Sequence, residues 1–401
     1  MVSVSAALVV RNARIFDGIN EDLVEADIRI DAGHIVEIGT VPRSDLPTLD
    51  AAGSVVTPGL IDCHFHAYGI SLDLLELEGS RPSYVALKGA TRLTRALRRG
   101  FTTVRDPAGG DIGLARAIDE GLVAAPNYFY SGPALSQTGG HGDGRPAQLH
   151  LEAGGHHAVE VVDGVEPLRI AVRDRLRTGA HLIKIMASGG VVSPTDPIRI
   201  PQYSAEEIRV VADEAARRGA YVAAHAYSPE AISHAVTNGV RSIEHGNLLD
   251  DATARLMAEY GAVLIPTLVT YRAMAEHGRE LGMASVGLEK NAVVLEAGMT
   301  AIDRATRAGV LVGFGTDLMA SLESEQLRGL EVQHEVQGTL ELLRSATSRN
   351  ATILGDNRYG RIAVGAAGDL LVLEGDPFLT PSVLWQPAPG RRVVKAGVVV
   401  A

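Results

Sequence analysis

Four histidines, a lysine and an aspartate stand out because each closes or interrupts an apolar run. His64 and His66 end G-L-I-D-C-H-F-H as an H-x-H pair. In a strand, that spacing turns both imidazoles to one side. On its own the pair is weak evidence, because surface pairs of this kind are common. Lys184 lies inside H-L-I-K-I-M. If that strand is covered on both faces, a charged lysine there is strongly unfavourable unless it is paired or neutralised. The alternative is an early strand end, with the ammonium reaching back to solvent. His225 closes Y-V-A-A-H-A and His245 closes S-I-E-H. One buried histidine is more often a hydrogen-bonded core residue than a ligand, but two in successive strands at one level are harder to explain that way. Asp317 follows F-G-T, where its carboxylate either faces the same mouth or caps the next helix. As a set, these nitrogen and oxygen donors without thiolates suit zinc, and less often manganese, cobalt or nickel.

The elements that would carry them alternate in type. Between about Thr57 and Leu354 the strand candidates are G-L-I-D-C-H-F-H, F-T-T-V-R-D, Y-F-Y-S, H-L-I-K-I-M-A-S, Y-V-A-A-H-A, S-I-E-H-G, A-V-L-I-P-T and V-L-V-G-F-G-T-D. Helical stretches such as Ser204–Arg218 and Asp250–Tyr260 separate them, the first opened by a Ser204/Glu207 capping box. Eight strands in strict alternation predict an α/β fold, a closed (β/α)8 TIM barrel whose site lies at the carboxyl ends of its strands. The rival is an open doubly wound sheet, but no glycine-rich phosphate loop of the expected strand–turn–helix form is present. Both chain ends instead read as short segments of period two. Residues 1–56 and 360–401 are therefore expected to meet in one small β-sandwich, with a barrel of residues 57–359 inserted between them. The stretch Gly132 to Val165 is expected to be a long loop, and loops of that length are usually functional or disordered.

Bulk composition narrows the partners. The chain has 401 residues, 46% of them hydrophobic and 21% charged, as in ordinary folded proteins. A net charge of −11 and only 4% aromatic residues argue against a nucleic-acid partner. No apolar run is long enough to span a bilayer, so no membrane partner is expected. The single cysteine, Cys63, cannot form an intrachain disulfide. No basic stretch precedes the apolar first residues, so the expected location is cytoplasmic.

The stretches T-P-G-L-I-D-C-H-F-H, G-F-T-T-V-R-D, K-I-M-A-S-G-G-V, V-A-A-H-A-Y-S-P-E-A-I, I-E-H-G-N and F-G-T-D occur in this order. Together they resemble the amidohydrolase superfamily over essentially the whole chain. Within it the chain looks most similar to the prolidase and carboxypeptidase-like branch. Relatives include ochratoxin amidohydrolases and phenylurea hydrolases, with imidazolonepropionase more distant. The resemblance implies two divalent metal ions, zinc first. His64, His66 and Asp317 would hold the buried ion, and His225 and His245 the more exposed one. Lys184 would be carboxylated by CO₂ on its terminal nitrogen and bridge both ions. Cys63 departs from the apolar residue expected between Asp62 and His64, and strand alternation points it away from the ligands. Relatives are commonly homo-oligomers, so a homo-oligomer, up to an octamer, is expected.

The expected chemistry is hydrolysis of an amide bond in a dipeptide, N-acyl amino acid or related small amide by a hydroxide bridging two metals. Asp317 would take the proton of that hydroxide and pass it to the leaving nitrogen. His141, in T-G-G-H-G-D, is the candidate donor to the oxyanion, with an idle loop histidine as the alternative. Tyr227, two residues after His225, resembles a tyrosine that relatives use at the substrate, and is otherwise a packing residue. Arg105 and Asp106 read as a structural ion pair. Arg145, His150, His156, His157 and Arg199, the last within P-T-D-P-I-R-I-P-Q-Y, are pocket candidates without an assigned role. The second enzyme reading is hydrolysis of a carbamate, phenylurea or other xenobiotic amide. Pro229 and Glu230 do not fit the glutamate spacing of a mononuclear deaminase. The reading outside catalysis is a metal-free binding scaffold, against which the complete donor set argues.

Overall fold

The computed structural model describes residues 7–146, 148, 157–193 and 196–401. The chain opens with β1 (Leu8–Ile15), β2 (Val24–Asp31), β3 (His34–Gly39), β4 (Thr48–Asp50) and β5 (Val55–Pro58). The central strands are β6 (Leu60–Asp62), β7 (Phe101–Asp106), β8 (Asn127–Tyr130), β9 (Ala134–Ser136), β10 (Val159–Val161), β11 (Leu182–Met186), β12 (Tyr221–Ala226), β13 (Ser242–His245) and β14 (Val263–Ile265). The chain closes with β15 (Leu370–Leu373), β16 (Arg392–Lys395) and β17 (Val398–Val399). As expected, both chain ends build one mixed sheet, in the order β17-β16-β15-β5-β1-β2-β3 with β4 on β1. The join is antiparallel pairing of β15 with β5, from Leu370 opposite Pro58 to Leu373 opposite Val55. Val10, Ile28, Ile30, Val56, Leu370 and Val394 form its core.

The central strands pair in parallel as the walls of the (β/α)8 barrel. β6, β7 and β8 form one stretch, and β9, β11, β12, β13 and β14 the other. The His181 amide donates to the Tyr130 carbonyl at 2.9 Å, which links β8 to the start of β11. Strand parity then decides what each face carries. Ile183, Ile185, Val222, Ala224 and Ile243 pack outward on the helix shell, leaving Lys184, His225 and Glu244 for the interior. Two helices follow the sequence signals closely. Ala205–Ala216 is capped by Ser204, with the Ser204/Glu207 capping box formed, and Asp251–Glu259 is capped by Asp250.

Two expectations need correction. The segment from Gly132 to Val165 is not wholly loop, because β9 pairs with β11 and β10 lies parallel to β9. The eighth expected strand forms only a single bridge, Val312 to Leu264. Side chains complete its seam to β6. Asn350 donates its Nδ2 to the carbonyls of Ile61 and Phe314, both at 2.8 Å, while its Oδ1 accepts from the Phe314 amide at 3.0 Å. Asp62 accepts from the Thr316 amide at 3.1 Å and from the Thr316 hydroxyl at 2.6 Å. Among the described residues, no helix is long and apolar enough to cross a membrane.

Asn350 is fully buried, so replacing it by leucine removes the partner of the Phe314 N–H and a donor to the Ile61 carbonyl, and leaves the Phe314 carbonyl with only the Cys63 amide at 2.9 Å. Asn350→Leu is expected to lower unfolding free energy by about 2–4 kcal/mol, read as a reduced urea midpoint. A midpoint equal to that of the unchanged protein would mean the seam does not depend on this side chain.

Candidate active site

The carboxyl ends of the barrel strands bring all six candidate ligands to one cavity. Its walls include His64, His66, Lys184, His225, His245 and Asp317, along with His141 and Tyr227. The tightest group is His64, His245 and Asp317, whose donor atoms all lie within 4.8 Å of one another. His66 joins through Nε2, 2.8 Å from Asp317 Oδ1. His225 stands beside His245, with ring centroids 4.5 Å apart. Backbone geometry explains the reach of two ligands. His245 and Asp317 both adopt positive φ, 77° and 54°, which breaks strand parity and lets Glu244 and His245 both serve the interior. Gly315 is required as well. A Cβ there would lie 2.6 Å from His64 Cβ and 2.5 Å from Ile265 Cγ2.

One nitrogen of each imidazole is anchored. His64 Nδ1 lies 2.7 Å from Glu244 Oε2, and His66 Nδ1 is 3.2 Å from the Ala108 carbonyl. His225 Nε2 is 3.2 Å from the Gly189 carbonyl, and His245 Nδ1 is 2.8 Å from Thr267 Oγ1. Each ring is thereby oriented, and the second nitrogen of His64, His225 and His245 is left for a cation, while that of His66 meets Asp317. Burial, reinforced by neighbouring cationic groups, holds His64 and His225 well below the usual imidazole range. Burial also takes His245 down to about 3. Three neutral, anchored imidazoles beside a carboxylate are the donor form a divalent metal requires. His66 behaves differently. Burial lowers it, but Asp106 and Asp317 override that and raise it to about 9. Burial raises the Asp317 carboxyl, yet His64, His66 and His245 hold it well below the usual carboxylate range.

Lys184 does not reach solvent, being only 2% exposed. Burial pushes its ammonium down to about 8, with Glu244 and Asp317 opposing through space. Asp317 does not serve as a helix cap, since the following 3-10 helix, Ala320–Gln326, begins at Met319 without a side-chain cap. The His141 ring lies 4.1 Å from that of His225 and stacks on it, and burial holds it below its ordinary value. Tyr227 packs on His245 at 5.2 Å, and its hydroxyl meets that of Tyr271 at 3.0 Å. Cys63 turns away from the ligands, its thiol 3.8 Å from the Asn350 carbonyl.

Arg105 and Asp106 do not pair, because neighbours on a strand point opposite ways. Arg105 donates instead to Glu244 Oε2 at 2.6 Å, both side chains fully buried. Asp106 accepts from the Ala67 amide at 3.0 Å and the Tyr128 hydroxyl at 2.8 Å. Sequence reading assigned Glu244 no role. Its signal was a carboxylate in a buried strand, matched by an arginine in another. Of the pocket candidates, Arg145 pairs with Asp143 and Arg199 is exposed. His157 meets the Ser80 carbonyl at 3.0 Å, outside the cavity lining. His150, His156, Pro194 and Thr195 lie outside the described residues.

The amidohydrolase family model matches residues 55–400. The chain belongs to the amidohydrolase family. A crystal structure of a prolidase complexed with N-methylphosphonate-L-proline is 43% identical, with a TM-score of 0.95, over 98% of this chain and 99% of that one. A Xaa-Pro dipeptidase with methionine bound in its active site is 27% identical, with a TM-score of 0.88, over 98% of this chain and all of that one (100%). Ochratoxinase from Aspergillus niger is 32% identical over 361 residues, 86% of this chain and 75% of the relative. This amidohydrolase is thus a hydrolase of carbon–nitrogen bonds with a metal-binding cluster at the barrel mouth.

Glu244 orients His64 and balances Arg105, so its loss acts on the metal site through the outer shell. Glu244→Gln in this amidohydrolase is expected to weaken zinc binding about 10–100-fold, measured by chelator competition on the purified protein. Undiminished affinity would mean His64 holds its orientation without that carboxylate.

Proposed function

We propose that this amidohydrolase cleaves the amide bond of a dipeptide or N-acyl amino acid, with proline favoured on the leaving side, using a binuclear metal centre. The observation that carries the two-ion reading is Lys184, a lysine sealed inside the barrel beside the His64/His245/Asp317 group. With its pKa drawn down to about 8, a useful fraction of the amine is neutral near physiological pH. A neutral Nζ can add to the carbon of CO₂ and release a proton, forming a carbamate. As a carbamate the residue becomes an anion suited to two cations, which resolves the cost of burying it. His64, His66 and Asp317 would hold one ion, His225 and His245 the other, and Lys184 both. Zinc, when bound there, would acidify water and polarise the scissile carbonyl.

The chain's own groups do the rest. Asp317 holds the proton at its carboxylate and delivers it to the departing nitrogen. His141 donates to the developing oxyanion from the loop side. Tyr227 offers its hydroxyl to the substrate carboxylate from the rim beside His225. Leu72, Leu74, Met186, Val191, Met274 and Met319 line the cavity, and suit an apolar acyl group while shedding water from it. The prolidase and Xaa-Pro dipeptidase likenesses support the peptide reading over a carbamate or urea. The ochratoxinase likeness supports a second reading, hydrolysis of a bulkier amide of that kind. We further propose that residues 57–359 carry the reaction, that 1–56 with 360–401 form the supporting domain, and that the protein works as a cytoplasmic homo-oligomer.

Purified protein should hydrolyse apolar Xaa-Pro dipeptides and N-acyl prolines, lose that activity on chelation and regain it with zinc. Lys184→Ala should bind about one metal equivalent where the unchanged protein binds about two, by elemental analysis, with turnover abolished. If only ochratoxin-type amides are turned over, the second reading replaces the first; if no carboxylate-bearing amide is cleaved, both fail.

A further inference from the structure

We propose that Ser193 and Lys290 are positioning residues that lock His141 in the tautomer carrying its proton on Nε2. The inference rests on the oxyanion-donor role given to His141 above, because only an Nε2–H facing the cavity can fill it. His141 Nδ1 lies 2.7 Å from Ser193 Oγ. Two hydrogen arrangements fit that contact: either the hydroxyl donates to a bare Nδ1, or Nδ1–H donates to the hydroxyl. What decides between them is the other partner of the hydroxyl. Ser193 Oγ also lies 3.3 Å from the Gly190 carbonyl, a longer acceptor that competes for the same proton.

Lys290 weakens that competitor. From the helix Ser285–Arg307 its ammonium donates to the carbonyls of Gly190 at 3.0 Å, Ser193 at 2.8 Å and Asp196 at 2.7 Å. With the Gly190 carbonyl already served by a cation, the Ser193 proton goes to the nearer acceptor, Nδ1. Asp196 is the remaining group that could hold a proton on Nδ1. Its Oδ2 stands 3.9 Å away, too far to accept. That oxygen is occupied by the Gly190 amide at 3.1 Å and Gln202 Nε2 at 3.2 Å. The ring itself cannot turn away. It is stacked on His225, and on its other side the Gly190 backbone is so close that a Cβ there would lie 2.0 Å from His141 Cε1. Its amide is tied to Gln202 Oε1 at 3.0 Å. Nδ1 is thus an acceptor and Nε2–H a fixed donor. Lys290 and Ser193 touch no reacting atom and act only through His141.

Histidine-selective ¹⁵N NMR of the full-length protein reads the tautomer without turnover, the His141 signals being those lost in His141→Gln. The unchanged protein and Ser193→Thr should show the Nε2–H form. Ser193→Ala and Lys290→Met should move toward Nδ1–H. With the dipeptide panel, Ser193→Ala should lower kcat roughly 10–100-fold, less than deletion of an oxyanion donor, with KM within about twofold and recovery in Ser193→Thr. The loss should disappear on the His141→Gln background, because a glutamine amide donates without a tautomer to set. An Nδ1–H form in the unchanged protein, an unaltered tautomer in Ser193→Ala, or an undiminished loss on His141→Gln would overturn the proposal. An Nε2–H form in a protein that cleaves none of the amides would instead overturn the functional reading and leave the lock in place.

Discussion

The polar centre of this barrel is organised around one carboxylate buried below its mouth. Glu244 accepts from Arg105 and meets His64 through the same oxygen, while Ser242 donates to its other oxygen at 2.6 Å. An arginine sealed in a barrel without a partner would be severely destabilising, and so would the glutamate alone. As a pair they cancel, and the residual hydrogen-bonding capacity of the carboxylate is spent on orienting His64. Barrel interiors are usually filled by layers of branched apolar side chains. Here a polar column runs from Tyr221 and Ser242 through Arg105 and Glu244 to His64. The column ties the chemistry at the rim to the packing of the floor.

Strand parity makes most of this legible in the sequence. Apolar runs mark which segments are barrel strands, and the misfits in them mark the polar groups that meet in the cavity: Lys184 because a lysine has no reason to be buried, His225 and His245 because they recur at one level. Arg105 misled for a physical reason. Adjacent opposite charges look like a pair on paper, but on a strand they face apart, and the true partner lies on another strand, far away in sequence. The eighth segment reads as a strand in the sequence but forms only one bridge, since Gly313 and Gly315 bring no side chains to pack and its seam to β6 is reinforced by the side chains of Asn350 and Asp62. Sequence periodicity carries no trace of such side-chain reinforcement of the few backbone bonds there, among them the Cys63 amide on the Phe314 carbonyl. The loop side was least legible. His141 was visible as a histidine among glycines, while the residues that hold it, Ser193 and Lys290, sit on segments whose spacing says nothing of their meeting.

The site therefore combines two kinds of support. The candidate ligands on β11, β12 and β13, and those just after β6, are held by the barrel itself, rigid and densely bonded. The loop groups that close over the cavity, His141 among them, are themselves stapled, most plainly by the Lys290 ammonium on three carbonyls. Such division lets loops change what is bound while the strands keep what is done to it.

The join of β15 to β5 also bears on how the chain acquires this structure. Residues more than 300 positions apart, such as Val55 and Leu373, are direct neighbours in the terminal sheet, and the barrel seam waits on Asn350. Neither unit can be finished while the chain is still being made, because each needs a segment that leaves the ribosome late. Long-range closure of this kind makes for slow folding with exposed strand edges in the interim. The early strands β1 to β3, rich in valine and isoleucine, must remain soluble through that wait. The polar and charged residues that alternate along them are what keeps those edges from pairing with the wrong partner.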